Sequence, residues 1–354
     1  MGVRRSLRAL GVLLGRDRRR VSSQPEMDEV ERTFRHIWHH LHRIADKRER
    51  LRLRQPNALV LQMGKVASIS ICEALCDRGI NAFHSHGISP GAQHGTLSNV
   101  LDGNFTFRLA AHDLRRHVHN IALHTMTRWY RCHKHHSGHR LKVVTLARDP
   151  VTRYPSSFVH RRDSATSDIM AWHRARLGLR PEDPVDDAQV IPGFLMELAS
   201  IIAEGRPSAG AAACNRCVAL ARERWPEHPV IATEVGEWLS PLTWFDREIV
   251  AIFELDMLAS SELAERGWTE RSNDWVDILA LKFEELSSLI PEIQRFFGLA
   301  ELTLPRENVT STKRSAAEIA GAMRSVLETD IGRFCARELR LSSYGRACGY
   351  DRMA

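Results

Sequence analysis

Apolar residues follow two different rhythms along the chain. From Ala58 to Met63 they run almost without a break, and a few residues later Ile69, Ile71, Ala74 and Leu75 fall at helical spacing. A short apolar run that does not alternate is the pattern of a strand covered on both faces, so this stretch predicts a strand, a tight turn and a helix. Val143 to Ala147, followed by Pro150 opening a helix, repeats the pattern. So does Asp277 to Leu286, a strand ending at the acidic pair Glu284 and Glu285, with Ile290 to Phe297 helical and Gly298 as its stop. Ile80 to Phe83 and Asn120 to His124 read as shorter strands, and Trp244 to Ile249 as a helix leading into Phe253 to Asp256. Strands alternating with helices predict an α/β fold with a central parallel sheet flanked by helices.

The outer segments follow other patterns. Residues 1–24 are basic, with the run Arg18-Arg19-Arg20, and read as a disordered tail. Over 25–54, Val30, Phe34, Ile37, Leu41 and Ile44 recur at helical spacing behind Pro25, an amphipathic helix whose narrow stripe suits packing on the main domain or pairing with a second copy. The main domain then spans 55–354. It is interrupted at about 160–228 by a polar segment with Pro181, Pro184 and Pro192, a helix from Gly193 to Glu204, a small-residue run and a helix to Arg224. This helical insertion reads as a wall or lid over a binding site. At the far end, Ser315 and Glu318 form a capping box opening one long helix with Ile319, Met323, Val326, Leu327, Phe334 and Leu339 on its packed face.

Charge and composition narrow the class. The chain has 354 residues and a formal charge of +7, with a pI near 9.2, so its surface attracts anions. No run approaches the roughly 18 unbroken apolar residues of a membrane span, and Leu7 to Leu14 is interrupted by Arg8, so it does not form a signal-peptide core. A cytoplasmic protein is expected, with the basic N-terminus able to touch anionic lipid at the inner face of the membrane. The seven Cys do not form a disulfide framework; Cys214 and Cys217 read as a buried helical turn rather than a zinc site. His133, His135, His136 and His139 crowd a polar loop without a carboxylate among them, so no functional metal is expected.

The chemistry concentrates at strand ends. A helix starting directly after a strand points free N–H groups and its positive dipole end into the turn, which makes residues 64–70 an anion site. Gly64 permits close backbone approach, Lys65 adds a full charge, and Ser68 and Ser70 offer hydroxyls beside Val66, Ala67 and Ile69. A Walker A loop is not formed, because Leu59 stands where that motif has its first Gly and Val66 follows the Lys. His84 and His86, at the end of the second strand, are general-base candidates, with His124 a third. Arg148 stands at the end of the Val143 to Ala147 strand, where its planar fork can hold a phosphate, and Ser156 comes round on the same side of the next helix.

Two of these stretches carry a family resemblance. Gly64-Lys65-Val66-Ala67-Ser68-Ile69-Ser70 resembles the 5′-phosphosulfate loop of sulfotransferases, and Arg148-Asp149-Pro150 with Arg153 and Ser156 resembles their 3′-phosphate motif. The order of the Trp244-Phe245-Asp246 segment, the strand ending at Glu284-Glu285-Leu286 and the Phe297-Gly298 stop is similar to capsular polysaccharide synthesis proteins of this type. The resemblance covers about 56–345. It implies a P-loop-like three-layer fold and 3′-phosphoadenosine 5′-phosphosulfate (PAPS) as donor substrate, with no metal and a glycan or glycolipid hydroxyl as acceptor. It further implies that the loop amides and Lys65 hold the 5′ end, that Arg148 and Ser156 hold the 3′-phosphate, and that Asp149 and Arg153 brace the turn. Ala67 stands where the loop has Gly, and would be strained at a positive φ; Ile69 replaces a hydroxyl residue. Nucleic acid is not an expected partner. Two other functions fit the same features: a non-catalytic basic protein that holds a polyanion, and a relative of P-loop kinases.

Overall fold

A computed structural model of the chain describes residues 57–64, 67–92, 119–120, 122–124, 126–132, 139–305 and 316–354. The tail and helix expected over 1–54, Lys65 and Val66, most of the His-rich loop, the polar loop 308–313 and the Ser315 cap lie outside the described residues. The chain divides into two units. One comprises Met1–Leu53 and Gln93–Ala122, of which residues 119, 120 and 122 are described, all helical; the other comprises Arg54–Ala92 and Leu123–Ala354 and carries the sheet.

The second unit is α/β. Strands β1 (Asn57–Leu61), β2 (Asn81–Ser85), β3 (Leu141–Ala147), β4 (Trp268–Ser272) and β5 (Val276–Lys282) form one sheet in the order β2-β1-β3-β5-β4. All neighbours are parallel except β4 and β5. Leu59, Val60, Leu61, Val143, Val144, Leu146, Ile278 and Leu279 are fully buried, so both faces of the inner strands are covered, as their unalternating sequences require. β4 was not foreseen. Its sequence, Trp-Thr-Glu-Arg-Ser, is that of a short charged edge strand, and the Asn273 side chain closes the turn into β5 by accepting N–H bonds from Trp275 and Val276.

Between β1 and β2 lies α1 (Ser68–Asp77); α2 (Pro150–Leu177) follows β3. From β1 the chain moves first to β2 on one side and then to β3 on the other, so the direction of winding reverses between β1 and β3. In open α/β sheets the crevice at the carboxyl end of such a reversal is where ligands bind.

After α2 come α3 (Asp187–Gly205), α4 (Ala211–Arg224), α5 (Pro229–Leu239) and α6 (Pro241–Trp244). α6 runs on through a wide turn, Phe245–Val250, into Ala251–Phe253. Then α7 (Glu262–Arg266) precedes β4, α8 (Ile290–Phe297) follows β5, and α9 (Ala316–Leu327), α10 (Asp330–Arg340) and α11 (Ser343–Ala347) end the chain. The expected insertion begins later than its polar sequence implied, because 160–177 simply continue α2 until Gly178 stops it at φ 67°. α3 likewise begins before Gly193, where the Asp186 carboxylate accepts the Ala188 N–H and outweighs the internal Pro192. α3 is the one described helix long and apolar enough to cross a membrane, and half of that window is buried within the protein, against α2, α4, α9 and α10. Aromatic rings fill this layer in a continuous series: Trp238 stacks on Tyr154 at 4.5 Å, followed by Phe158, Phe194, Trp172 and Trp225.

Two expected elements differ. Residues 122–124 and 126–132 are helical rather than strand, since Leu123, Met126 and Tyr130 are buried at helical spacing. The single C-terminal helix is three. Thr329 and Ser342 each cap a new helix by accepting an N–H from the residue three ahead, Gly332 and Gly345. Both glycines sit where a methyl would collide with the backbone of the preceding helix, Val326 and Arg340 respectively. Gly332→Ala should therefore destabilise the protein by about 1–3 kcal/mol in urea unfolding, and an unchanged midpoint would contradict the close α9–α10 joint.

Candidate functional site

At the carboxyl end of β1 the chain passes through Gln62, Met63 and Gly64 and re-emerges at Ala67, the residue before α1. Ala67 has φ 59° and ψ 27°, the left-handed conformation. For a residue with a Cβ this costs about 1–2 kcal/mol. Its carbonyl accepts the Ile71 N–H, which starts the helix. Ala67 gives no side-chain cap, and no acidic residue occupies the first turn, so the positive end of α1 is not neutralised by either. Ile69 in that turn is 40% exposed, while Ser70 is buried. Gly64 is at an ordinary φ, and a methyl there would meet only the His86 ring at 3.7 Å. Gln62 is fully buried, and neither its amide oxygen nor its nitrogen has a hydrogen-bond partner among the described residues.

The next strand of the reversal ends in Arg148. Its N–H donates to the Tyr344 hydroxyl at 2.9 Å, and that hydroxyl donates to the Arg148 carbonyl at 2.9 Å. The guanidinium lies 4.3 Å over the Phe283 ring and donates to the Thr152 carbonyl at 3.2 Å. Burial pulls its pKa down, with Glu284 the foremost opposing charge. Asp149 caps α2 by accepting the Val151 N–H at 3.1 Å and is held by Arg340 at 2.9 Å. The Asp149 N–H donates to Glu284 at 2.9 Å, and the other oxygen of that carboxylate accepts from Tyr350 at 2.8 Å. The amino end of α2 is thus closed by the protein's own carboxylate, whereas among the described residues no side chain caps α1. Ser156, half-buried, stands one helical repeat beyond Thr152, on the side to which Arg148 reaches.

Arg153 joins the two turns. It is 4% exposed; its Nε–H donates to the Gly64 carbonyl at 3.2 Å and its Nη1 to the Glu237 carbonyl at 3.0 Å. The expected bracing by Asp149 and Arg153 therefore has a concrete form, and Arg153 reaches across to the first turn as well as holding its own.

The two histidines at the end of β2 come to the same place. His86 Nδ1 is 3.1 Å from the Gln62 carbonyl, an oxygen that only accepts, so Nδ1 carries the proton and Nε2 is the basic nitrogen. That Nε2 faces Gly64. His84 meets the His86 ring edge-on at 4.6 Å. The pKa of His124 is lowered by burial and by Arg128, against a bond with the Ile88 backbone. His86 is bonded to the β1 turn.

Several residues that hold this geometry were not singled out from sequence. Trp244 donates its indole N–H to the His86 carbonyl at 3.0 Å. Glu248, buried, accepts the Ile88 and Ser89 N–H groups at 2.8 and 2.9 Å and the Ser89 hydroxyl at 2.6 Å. These two explain the Trp244 to Ile249 segment: it pins the exit of β2. Tyr344, Tyr350 and Arg340 had no local signal, since their partners lie far away in sequence.

Cys214 and Cys217 lie buried on α4, as expected, and burial pushes the Cys217 thiol up to about 12. Among the described residues no group of three or more His, Cys, Asp or Glu side chains is arranged to hold a metal. No protein-family model, curated protein or solved structure matches this chain.

The strain at Ala67 can be relieved. Ala67→Gly should raise stability by about 1 kcal/mol in chemical unfolding, because Gly adopts the left-handed conformation without penalty. A loss of stability would show that the left-handed turn is not the resting conformation.

Proposed function

We propose that this protein transfers a sulfuryl group from PAPS to a hydroxyl of a carbohydrate or glycolipid acceptor, on a P-loop-like three-layer fold. The observation that carries the reading is the bond from Arg153 to the Gly64 carbonyl, because it makes one site of two turns distant in sequence. One turn opens on an uncapped helix end and the other presents Arg148 at a strand end. A donor with phosphate at both its 5′ and 3′ positions needs two such turns a nucleoside apart. The residues fit that donor: the amides of 64–70 and Lys65 would take the 5′ end, and Arg148 with Ser156 the 3′-phosphate.

In this reading the acceptor oxygen attacks sulfur in line with the leaving 5′-phosphate. The bond between sulfur and the bridging phosphate oxygen breaks, giving a sulfate ester and adenosine 3′,5′-bisphosphate. The hydroxyl proton passes to His86 Nε2, the nitrogen left basic by the bond to Gln62, with His84 behind it. Lys65 neutralises charge on the leaving oxygen. A glycolipid acceptor would bring the basic N-terminal sequence to anionic lipid.

The formal charge of +7 favours a second reading, a non-catalytic holder of polyanions. A kinase-like phosphate loop has less support, because Leu59 is fully buried within β1 instead of standing in the turn.

Calorimetric titration separates these readings. The protein should bind adenosine 3′,5′-bisphosphate at least about tenfold more tightly than AMP, from the added charge-assisted contacts of one phosphate. Magnesium with ATP should bring no gain. Binding that ignores the 3′-phosphate and falls steeply with salt would favour the polyanion holder instead.

A further inference from the structure

We propose that the C-terminal segment from Asp330 onward is part of the anion site, with Tyr344 as the positioning residue for Arg148; this rests on the donor reading above. Where β3 ends, the sheet no longer supplies partners for the backbone, and the N–H and C=O of Arg148 would have none in the ladder. One phenol oxygen answers both, accepting from the N–H and donating to the C=O, each at 2.9 Å. The ring that carries it is 1% exposed. Burial holds its pKa well above the usual tyrosine value, so the hydroxyl keeps the proton it donates.

Two neighbours in the same segment hold the next residue. Arg340 donates to the Asp149 carboxylate, and Tyr350 donates to the Glu284 carboxylate that receives the Asp149 N–H. The segment is built to deliver them. Ser342 caps α11, and Gly345 permits the close return past Arg340 that puts Tyr344 against the strand end. With its backbone fixed on this side and its guanidinium lying on Phe283, Arg148 has few conformations left to lose when a phosphate arrives. A purely structural tyrosine would change stability and leave ligand choice alone; a positioning one changes ligand choice.

The test is Tyr344→Phe, which keeps the ring and removes both bonds. Calorimetry with adenosine 3′,5′-bisphosphate and with AMP reads the effect at each end of the site. The bisphosphate should weaken by about tenfold, the loss of a well-made charge-assisted contact, while AMP changes little. In parallel, the rate at which phenylglyoxal labels Arg148, followed by peptide mass spectrometry, should rise several-fold. Tyr350→Phe, acting one residue further along through Glu284, should move both readings the same way to a smaller extent, and it serves if Tyr344→Phe does not fold. Unchanged selectivity with unchanged labelling in the folded variant overturns the proposal. A parent protein indifferent to the 3′-phosphate would overturn the donor reading alone, and the labelling would still decide whether Tyr344 positions Arg148.

Discussion

One buried guanidinium joins the two turns of the candidate site. Arg153 is taken out of water in the first turns of α2 and satisfied by two backbone carbonyls, one from the β1 turn and one from the end of α5. Burial lowers its pKa, as it does that of Arg148 one turn earlier. In each case a carboxylate opposes the shift, Glu237 for Arg153 and Glu284 for Arg148. Through these two bonds one side chain ties the β1 turn to α2 and to the end of α5.

The turn that Arg153 grips is also where local rules are broken. Ala67 is left-handed without being glycine, Ile69 is exposed in the first turn of α1, and among the described residues the buried Gln62 amide has neither donor nor acceptor satisfied. An unsatisfied buried amide costs about 1–3 kcal/mol. Such departures tend to collect where a ligand rather than the fold sets the requirement. The surrounding structure over-determines the turn by contrast: His86 is fixed from Gln62 and Trp244, and the exit of β2 is clamped by Glu248.

What was legible in the chain was whatever depended on neighbours in sequence. β1, β3 and β5 showed as unalternating apolar runs, and α2 announced itself by its first-turn proline, Pro150. The position of Arg148 followed from the end of β3, and those of the two histidines from the end of β2. β4 was missed because an edge strand with Glu270 and Arg271 has no apolar run to show. The break of the C-terminal helix was written in Thr329 with Gly332 and Ser342 with Gly345, a capping hydroxyl three residues before a glycine, but the apolar spacing continued across it. Tyr344 reaches a partner 196 residues away, and no local pattern encodes such a contact.

The central claim is that two turns grip opposite ends of one ligand. The most direct measurement is calorimetric binding of 5′-AMP and 3′-AMP to the parent protein, to Lys65→Ala and to Arg148→Ala. The account predicts a crossed result: Lys65→Ala weakens 5′-AMP and Arg148→Ala weakens 3′-AMP, each by about tenfold or more, with the other nucleotide little changed. If both substitutions weaken both nucleotides alike, the two turns do not divide the ligand between them, and the account is wrong.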